Sequence, residues 1–319
     1  MTNLKVDYDT ALQNVKKETT GILRMGPSLV TGYTAYMADT MGKMLRARAV
    51  LASSMDSDGL VPQDAVLFAS AIEILHLATL VHDDIMDDAD TRRGQVSLQK
   101  KSGKRNAVIC GDYLLAAAMN QLAKVKYQEK YENFQFSKYI QNIALGELRQ
   151  TVNNRNYRLS VHRYLSIIDG KTAALFEASY HSGALAGDAD AKRANLFKKL
   201  GRYTGVIFQL TDDCIDFDTS EEQALKPVMS DYENGVITLP IIHTFQEDPS
   251  LLAKAEAGQL SKEQMLEEVK SHEGVKYTHA VAEHFYKKAL SIIDKLELQK
   301  DQEEILGGIL HKAYVGFKG

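Results

Sequence analysis

Residues 62–87 read PQDAVLFASAIEILHLATLVHDDIMD. Ala71, Ile72, Ile74, Leu75, Leu77, Ala78, Leu80 and Val81 fall on every side of a helix, the pattern of a helix buried in the middle of a bundle. The chain has no proline between Pro62 and Pro227, which permits long uninterrupted helices. Similar apolar runs appear near 106–125, 134–153, 160–186 and 190–217, and strand-like alternation is scarce. The chain therefore reads as all-α. Breaks fall at 55–61, 91–105 and 218–236, and segments 247–275 and 294–304 read as short connections between C-terminal helices. None has the length or composition of an interdomain linker, so residues 1–319 read as a single domain.

Composition narrows the function. The 319 residues carry 38 Lys and Arg against 42 Asp and Glu, a net charge of −4, which lacks the basic bias of a nucleic-acid binder. At 45% hydrophobic and 25% charged residues, a sizeable core is available. Cys110 and Cys214 match no zinc pattern, and the polar start MTNLKVDYDTALQNVKK has no apolar signal region. No long charge-free apolar span is apparent. These features lead to the expectation of a cytoplasmic protein without a transmembrane segment.

Two acidic clusters carry the chemistry. Asp83-Asp84-Ile85-Met86-Asp87 and Asp212-Asp213-Cys214-Ile215-Asp216 are both DDxxD, and each ends a strongly apolar segment. On a helix, the first and third carboxylates stand one turn apart on one face and repel each other. One such cluster is more often a solvated helix end; two with the same spacing call for a cation. All-oxygen ligation suits Mg2+, which commonly binds through one or two carboxylates plus substrate phosphates. Arg92 and Arg93 follow the first cluster and Lys226 the second, while Lys43 and Arg46 stand three apart, as on one helical face. Lys171-Thr172 interrupts an apolar run. Each cation alone reads as a surface charge; together they suit phosphate.

Rival motifs fail on spacing. A Walker A loop ending at Gly170-Lys171-Thr172 would need glycine where Leu165 stands, and an EF-hand opening at Asp88 would need it at Arg93.

The ordered series resembles the trans-prenyl diphosphate synthases. It comprises Gly42-Lys43-x-x-Arg46, His76, DDIMDDADTRRG at 83–94, Gly111-Asp112-Tyr113-Leu114 and Gly146-Glu147-x-x-Gln150. Lys171-Thr172, Gln209-x-x-Asp212-Asp213-x-x-Asp216, Lys226-Pro227 and Thr238-Leu239-Pro240 complete it. The resemblance implies a helical bundle around a deep central cavity, usually as a homodimer. It implies condensation of isopentenyl diphosphate with an allylic diphosphate. Asp83, Asp87 and Asp212 would be the main ligands of three Mg2+ ions, with Asp84, Asp213 and Asp216 supporting. Arg92, Lys171 and Lys226 would hold the allylic diphosphate; Lys43, Arg46, His76 and Arg93 would hold isopentenyl diphosphate. Thr172 and Gln209 would face the developing carbocation.

Ala78, five residues before Asp83, is commonly aromatic in short-chain relatives and closes the cavity there. Here it is small, as is Ala117 within Leu115–Met119, which implies a long-chain product. The same alanines would also let helices pack closely. Among long-chain members the chain is most like the catalytic subunit of the two-component heptaprenyl diphosphate synthases of menaquinone synthesis, which work with a small regulatory subunit. Met44, Leu225 and Val236 depart from the family pattern, which has a cation, a glycine and a lysine there. A geranylgeranyl-type synthase, a non-catalytic subunit and a terpene cyclase are the alternatives. Six intact aspartates disfavour the second, and Lys43, Arg46 and His76 disfavour the third.

Overall fold

Asp7 accepts a hydrogen bond from the Thr10 amide and caps α1 (Tyr8–Arg24), which buries Ala11, Leu12, Val15, Thr19 and Leu23 along one stripe. The computed structural model describes residues 4–125, 128–132, 134–218 and 229–316. They form two compact units.

The first unit comprises residues 1–135, 178–198 and 296–306. It continues from α1 through α2 (Ser28–Thr34) and α3 (Leu45–Ser53) to α4 (Gln63–Met86). Strand β1 (Lys5–Val6) pairs antiparallel with β2 (Val61–Pro62), fixing the entry to α4. A second two-residue pair, β3 (Thr91–Arg92) with β4 (Gln95–Val96), leads to α5 (Leu98–Ser102) and α6 (Lys104–Leu122). Helix α4 is the hub: α1, α3, α5 and α6 all pack on it, and every residue from Asp64 to Leu75 is buried. By length and composition α4 could cross a membrane, but 78% of its most apolar window is buried inside the protein. That is where the apolarity read from the sequence goes. Each large apolar side chain removed from water here contributes about 1.5–3 kcal/mol.

The second unit comprises residues 136–177, 199–295 and 307–319. It begins with α7 (Phe136–Val152) and α8 (Val161–Ile168). The run expected to be continuous over 160–186 is interrupted: Asp169–Ala173 form a π-helical turn between α8 and α9 (Ala174–Ala186). Such turns are rare and frequent at functional sites. Helix α10 (Ala191–Asp218), of which residues 199–218 belong to this unit, follows, then α11 (Ser230–Glu233) and α12 (Leu239–Glu247). Segment 247–275 is more than a connection, since it holds α13 (Ser250–Glu256) and α14 (Lys262–Ser271). Leu251 and Ala255 bury one face of α13, Met265 and Val269 one face of α14, and a Ser261–Gln264 capping box starts the latter. The link read at 294–304 is shorter than expected, because α15 (Gly274–Leu296) and α16 (Lys300–Val315) nearly meet. Ile167, Leu210, Phe217, Ile241 and Phe245 belong to this unit's core.

One close approach fixes the π turn. A methyl group on Gly146 of α7 would come within 2.2 Å of the Lys171 amide nitrogen and 2.6 Å of the Gly170 carbonyl carbon. Gly146→Ala should therefore cost about 1–3 kcal/mol in urea unfolding. Gly21→Ala, inside α1 with nothing within 4 Å of the new methyl, should gain about 0.5–1 kcal/mol. Equal effects would refute the close-packing account.

Candidate active site

In the first unit, α4 ends on the first acidic cluster, with Asp87 N donating to Asp83 O at 2.8 Å. Asp83 is half-buried, Asp87 exposed and Asp84 buried. Arg92 reaches Asp84 through both Nε, at 2.7 Å, and Nη2. Burial raises the Asp84 carboxyl pKa, and Arg92 pulls it back. Arg92 is placed by the β3–β4 hairpin, whose turn residues Arg93 and Gly94 have φ of 51° and 74°. Two positive φ values match the twist of a tight hairpin. Ser97 Oγ and Gln99 Nε2 both donate to Ala89 O, at 2.6 and 2.8 Å, and tie down the loop after the cluster. Gly42 leaves room for Arg93, whose guanidinium carbon would lie 2.9 Å from a methyl group there.

Lys43 and Arg46 do not share a helical face. Helix α3 starts only at Leu45, after Met44 in the left-handed conformation (φ 49°, ψ 43°), so exposed Lys43 precedes the helix. Arg46 Nη1 lies 3.2 Å from His76 Nε2. Burial brings the Arg46 guanidinium down to about 10, with Glu73 opposing the fall. His76 is held well below the ordinary imidazole value by burial, then by Arg46, Arg93 and Arg92, so it stays neutral near pH 7. On the other side of α4, the His82 ring fills the space over Gly111, and its Nε2 stands 3.5 Å from Asp112 Oδ1. This gives Gly111-Asp112 a structural role.

In the second unit, α10 closes on the second cluster with the same layout. Asp212 is exposed, Asp216 half-buried and Asp213 buried. Tyr164 OH donates to Asp213 Oδ2 at 2.5 Å and Gln209 Nε2 to Asp213 Oδ1 at 2.7 Å. Thr172 Oγ1 donates to Gln209 Oε1 at 2.6 Å, completing a chain from the π turn to α8. Burial raises the Asp213 carboxyl and the Tyr164 hydroxyl well above their ordinary values. Lys171 Nζ pairs with Glu147 Oε2 at 2.9 Å. Lys226, with Leu225, lies outside the described residues. Ala78 is buried on α4 and Ala117 half-buried on α6.

The first cluster sits at the C-terminus of α4, where the backbone dipole already carries partial negative charge and favours cations. The donors are all oxygen, which suits Mg2+. Among the described residues no three acidic, histidine or cysteine side chains form a ready cage. The ligand set thus fits a metal that keeps waters and shares phosphate oxygens.

Sequence reasoning gave no role to Glu73, Tyr164, His82 or Glu147. Glu73 carried a signal, as the one carboxylate in the apolar run between Asp64 and Asp83. Tyr164 carried none, because its partner is 49 residues away.

Tyr164→Phe should destabilise the protein by about 1–3 kcal/mol in urea titration, since it leaves a buried carboxylate oxygen without its donor. A pH effect follows from His76. Its folded pKa lies below the unfolded 6.5, so the unfolded chain takes up the proton first. The stability it contributes is present above about 6.5 and lost as pH falls below that value. On going from about pH 7.5 to about pH 5.5, His76→Gln should lose less stability than wild type; an equal loss would refute this assignment.

A polyprenyl synthetase family model matches residues 27–273. Heptaprenyl diphosphate synthase component 2 of Bacillus subtilis is 31% identical over 287 residues, covering 88% of this chain and 81% of the relative. Octaprenyl diphosphate synthase of Escherichia coli is 32% identical over 284 residues, covering 85% of each. Heptaprenyl diphosphate synthase of Staphylococcus aureus superposes with a TM-score of 0.88 at 28% identity, covering 98% of this chain and 99% of that structure. With the matched region spanning both DDxxD clusters, the chain belongs to the polyprenyl synthetase family and is a prenyltransferase.

Proposed function

We propose that this chain carries out the Mg2+-dependent head-to-tail (1'-4) condensation of isopentenyl diphosphate with an allylic diphosphate, yielding a long-chain all-trans polyprenyl diphosphate. The observation that carries the reading is the pair of DDxxD clusters, each with its outer carboxylates less buried than its middle one, which is tied inside. Asp83 and Asp87 in the first unit, and Asp212 and Asp216 in the second, are the metal ligands of this reading. Asp84 and Asp213 support them. When bound, Mg2+ supplies charge withdrawal from the leaving diphosphate.

The chain's own groups do the rest. Lys43, Arg46, His76 and Arg93 bind the isopentenyl diphosphate, with neutral His76 contributing a hydrogen bond rather than charge. Arg92, Lys171 and Lys226 neutralise the allylic diphosphate as its C1–O bond breaks. Arg92 and Lys171 also hold Asp84 and Glu147, which keeps both cations in fixed positions. Thr172 and Gln209 turn oxygen atoms toward the allylic cation, and apolar walls keep water from quenching it. The isopentenyl double bond forms the new bond to C1, and the proton lost afterwards passes to the released diphosphate.

The small Ala78 and Ala117 support a long product, as do the names of the heptaprenyl and octaprenyl relatives. The relative named component 2 supports a small regulatory partner subunit as one assembly, a homodimer being the other. We read the two units as halves of one synthase domain, and the use of only two cysteines, Cys110 and Cys214, in no disulfide pattern supports a cytoplasmic site of action.

The test is the purified chain with Mg2+, farnesyl diphosphate and labelled isopentenyl diphosphate. A product ladder ending near about seven isoprene units is expected, abolished by chelation and lowered at least about hundredfold in kcat by Asp83→Asn or Asp212→Asn. A stop at about four units would replace the long-chain reading with a geranylgeranyl one. Turnover only after a small partner subunit is added would establish the heteromer.

A further inference from the structure

We propose that Glu73 is a positioning residue for the isopentenyl diphosphate subsite, acting from α4 through the first turn of α3. The proposal rests on the assignment of Lys43, Arg46, His76 and Arg93 to that substrate. Glu73 stands in the most buried stretch of α4, flanked by Ile72, Ile74 and Leu75 and only 9% exposed. A carboxylate there is costly unless something holds it. Its Oε1 accepts a hydrogen bond from Ala47 N at 2.9 Å. That amide is in the first turn of α3, where helical N–H groups lack partners within the helix.

The start of α3 needs this help. Its N-cap is Met44, which offers no side-chain acceptor and adopts a left-handed conformation that a bulky residue enters at a cost. Glu73 therefore caps α3 from a neighbouring helix, and its negative charge lies at the positive end of the α3 dipole. The residues it anchors are those that face the substrate in this reading: Lys43 just before the turn and Arg46 within it.

The same carboxylate attracts the guanidiniums of Arg46 and Arg93. One turn along α4, His76 places Nε2 3.2 Å from Arg46 Nη1. Arg46 is thus set between a charge on one turn of α4 and an imidazole on the next. Without Glu73, Arg46 and Arg93 would lose a charge that attracts both, and the α3 start would lose its cap. Both faults would misplace the cations meant for the isopentenyl diphosphate while leaving the residues assigned to the allylic substrate in place.

The experiment compares the full chain with Glu73→Gln and Glu73→Leu, varying isopentenyl diphosphate and farnesyl diphosphate separately. Glu73→Gln keeps an oxygen acceptor for Ala47 N but removes the charge; Glu73→Leu removes both. Losing a charge-assisted hydrogen bond is worth roughly a tenfold to hundredfold change. Glu73→Leu should raise KM for isopentenyl diphosphate by about that factor, and Glu73→Gln by about three- to tenfold. KM for farnesyl diphosphate should stay within about twofold, with unchanged far-ultraviolet circular dichroism. If the leucine variant does not fold, the glutamine variant decides. An unchanged KM for isopentenyl diphosphate, or an equal rise for both substrates, overturns the inference while the active wild type sustains the functional reading. A wild-type chain that neither binds nor consumes isopentenyl diphosphate overturns that reading, and this inference with it.

Discussion

A helix ends with its last carbonyls directed outward, and α4 places three aspartates at that end, while α10 carries three more near the last of its described residues. Carboxylates are the least suited side chains there, since they add like charge to the negative pole of the dipole. Folding tolerates them because each cluster is divided. The middle aspartate turns into the protein and finds donors, while the outer two are less buried. Much of the surrounding structure follows from supplying those donors. The β3–β4 hairpin delivers Arg92 to Asp84, and the π turn, Gln209 and α8 together deliver hydrogen bonds to Asp213.

Glycines set how closely the supporting elements approach. A side chain at Gly146 would strike the backbone of the π turn, one at Gly111 the His82 ring, and one at Gly42 the Arg93 guanidinium. In each case the atom in the way belongs to a residue bearing on the acidic clusters or the basic group beside them. The cost of backbone freedom in these glycines is offset by placement that no larger residue would permit.

The sequence carried the parts of this arrangement that are local. The all-round apolarity of 62–87 marks a buried helix, and the DDxxD spacing marks which carboxylates share a face. What it could not carry is contact between distant residues. The Tyr164–Asp213 bond spans 49 positions, and nothing in the composition around Tyr164 distinguishes it from a core tyrosine. The π turn at Asp169–Ala173 was hidden because the Lys171-Thr172 interruption marks a polar site without showing that the backbone hydrogen-bond ladder widens there. The start of α3 was misread for a different reason. The spacing of Lys43 and Arg46 suits a helix, but Met44 takes a left-handed conformation usually left to glycine or asparagine, and it does so where Glu73 supplies the cap from another element. The two short helices of 247–275 show the weakness of periodicity over fewer than three turns, where two buried residues per helix suffice.

The two clusters solve the same electrostatic problem by unlike means, and the outcome is alike. Asp84 is countered by a full positive charge, the Arg92 guanidinium, which leaves Asp83 and Asp87 as the less buried carboxylates of the first cluster. Among the described residues Asp213 has neutral donors, a phenol and an amide, and burial raises its carboxyl well above the ordinary value. The second cluster thus leaves Asp212 and Asp216 as its less buried carboxylates. A divalent cation would meet such a pair in either cluster, and its waters or a diphosphate can complete the shell. Two different supports beneath the same kind of outer pair indicate that the pair itself is what each arrangement serves, with the inner aspartate holding the helix beneath it.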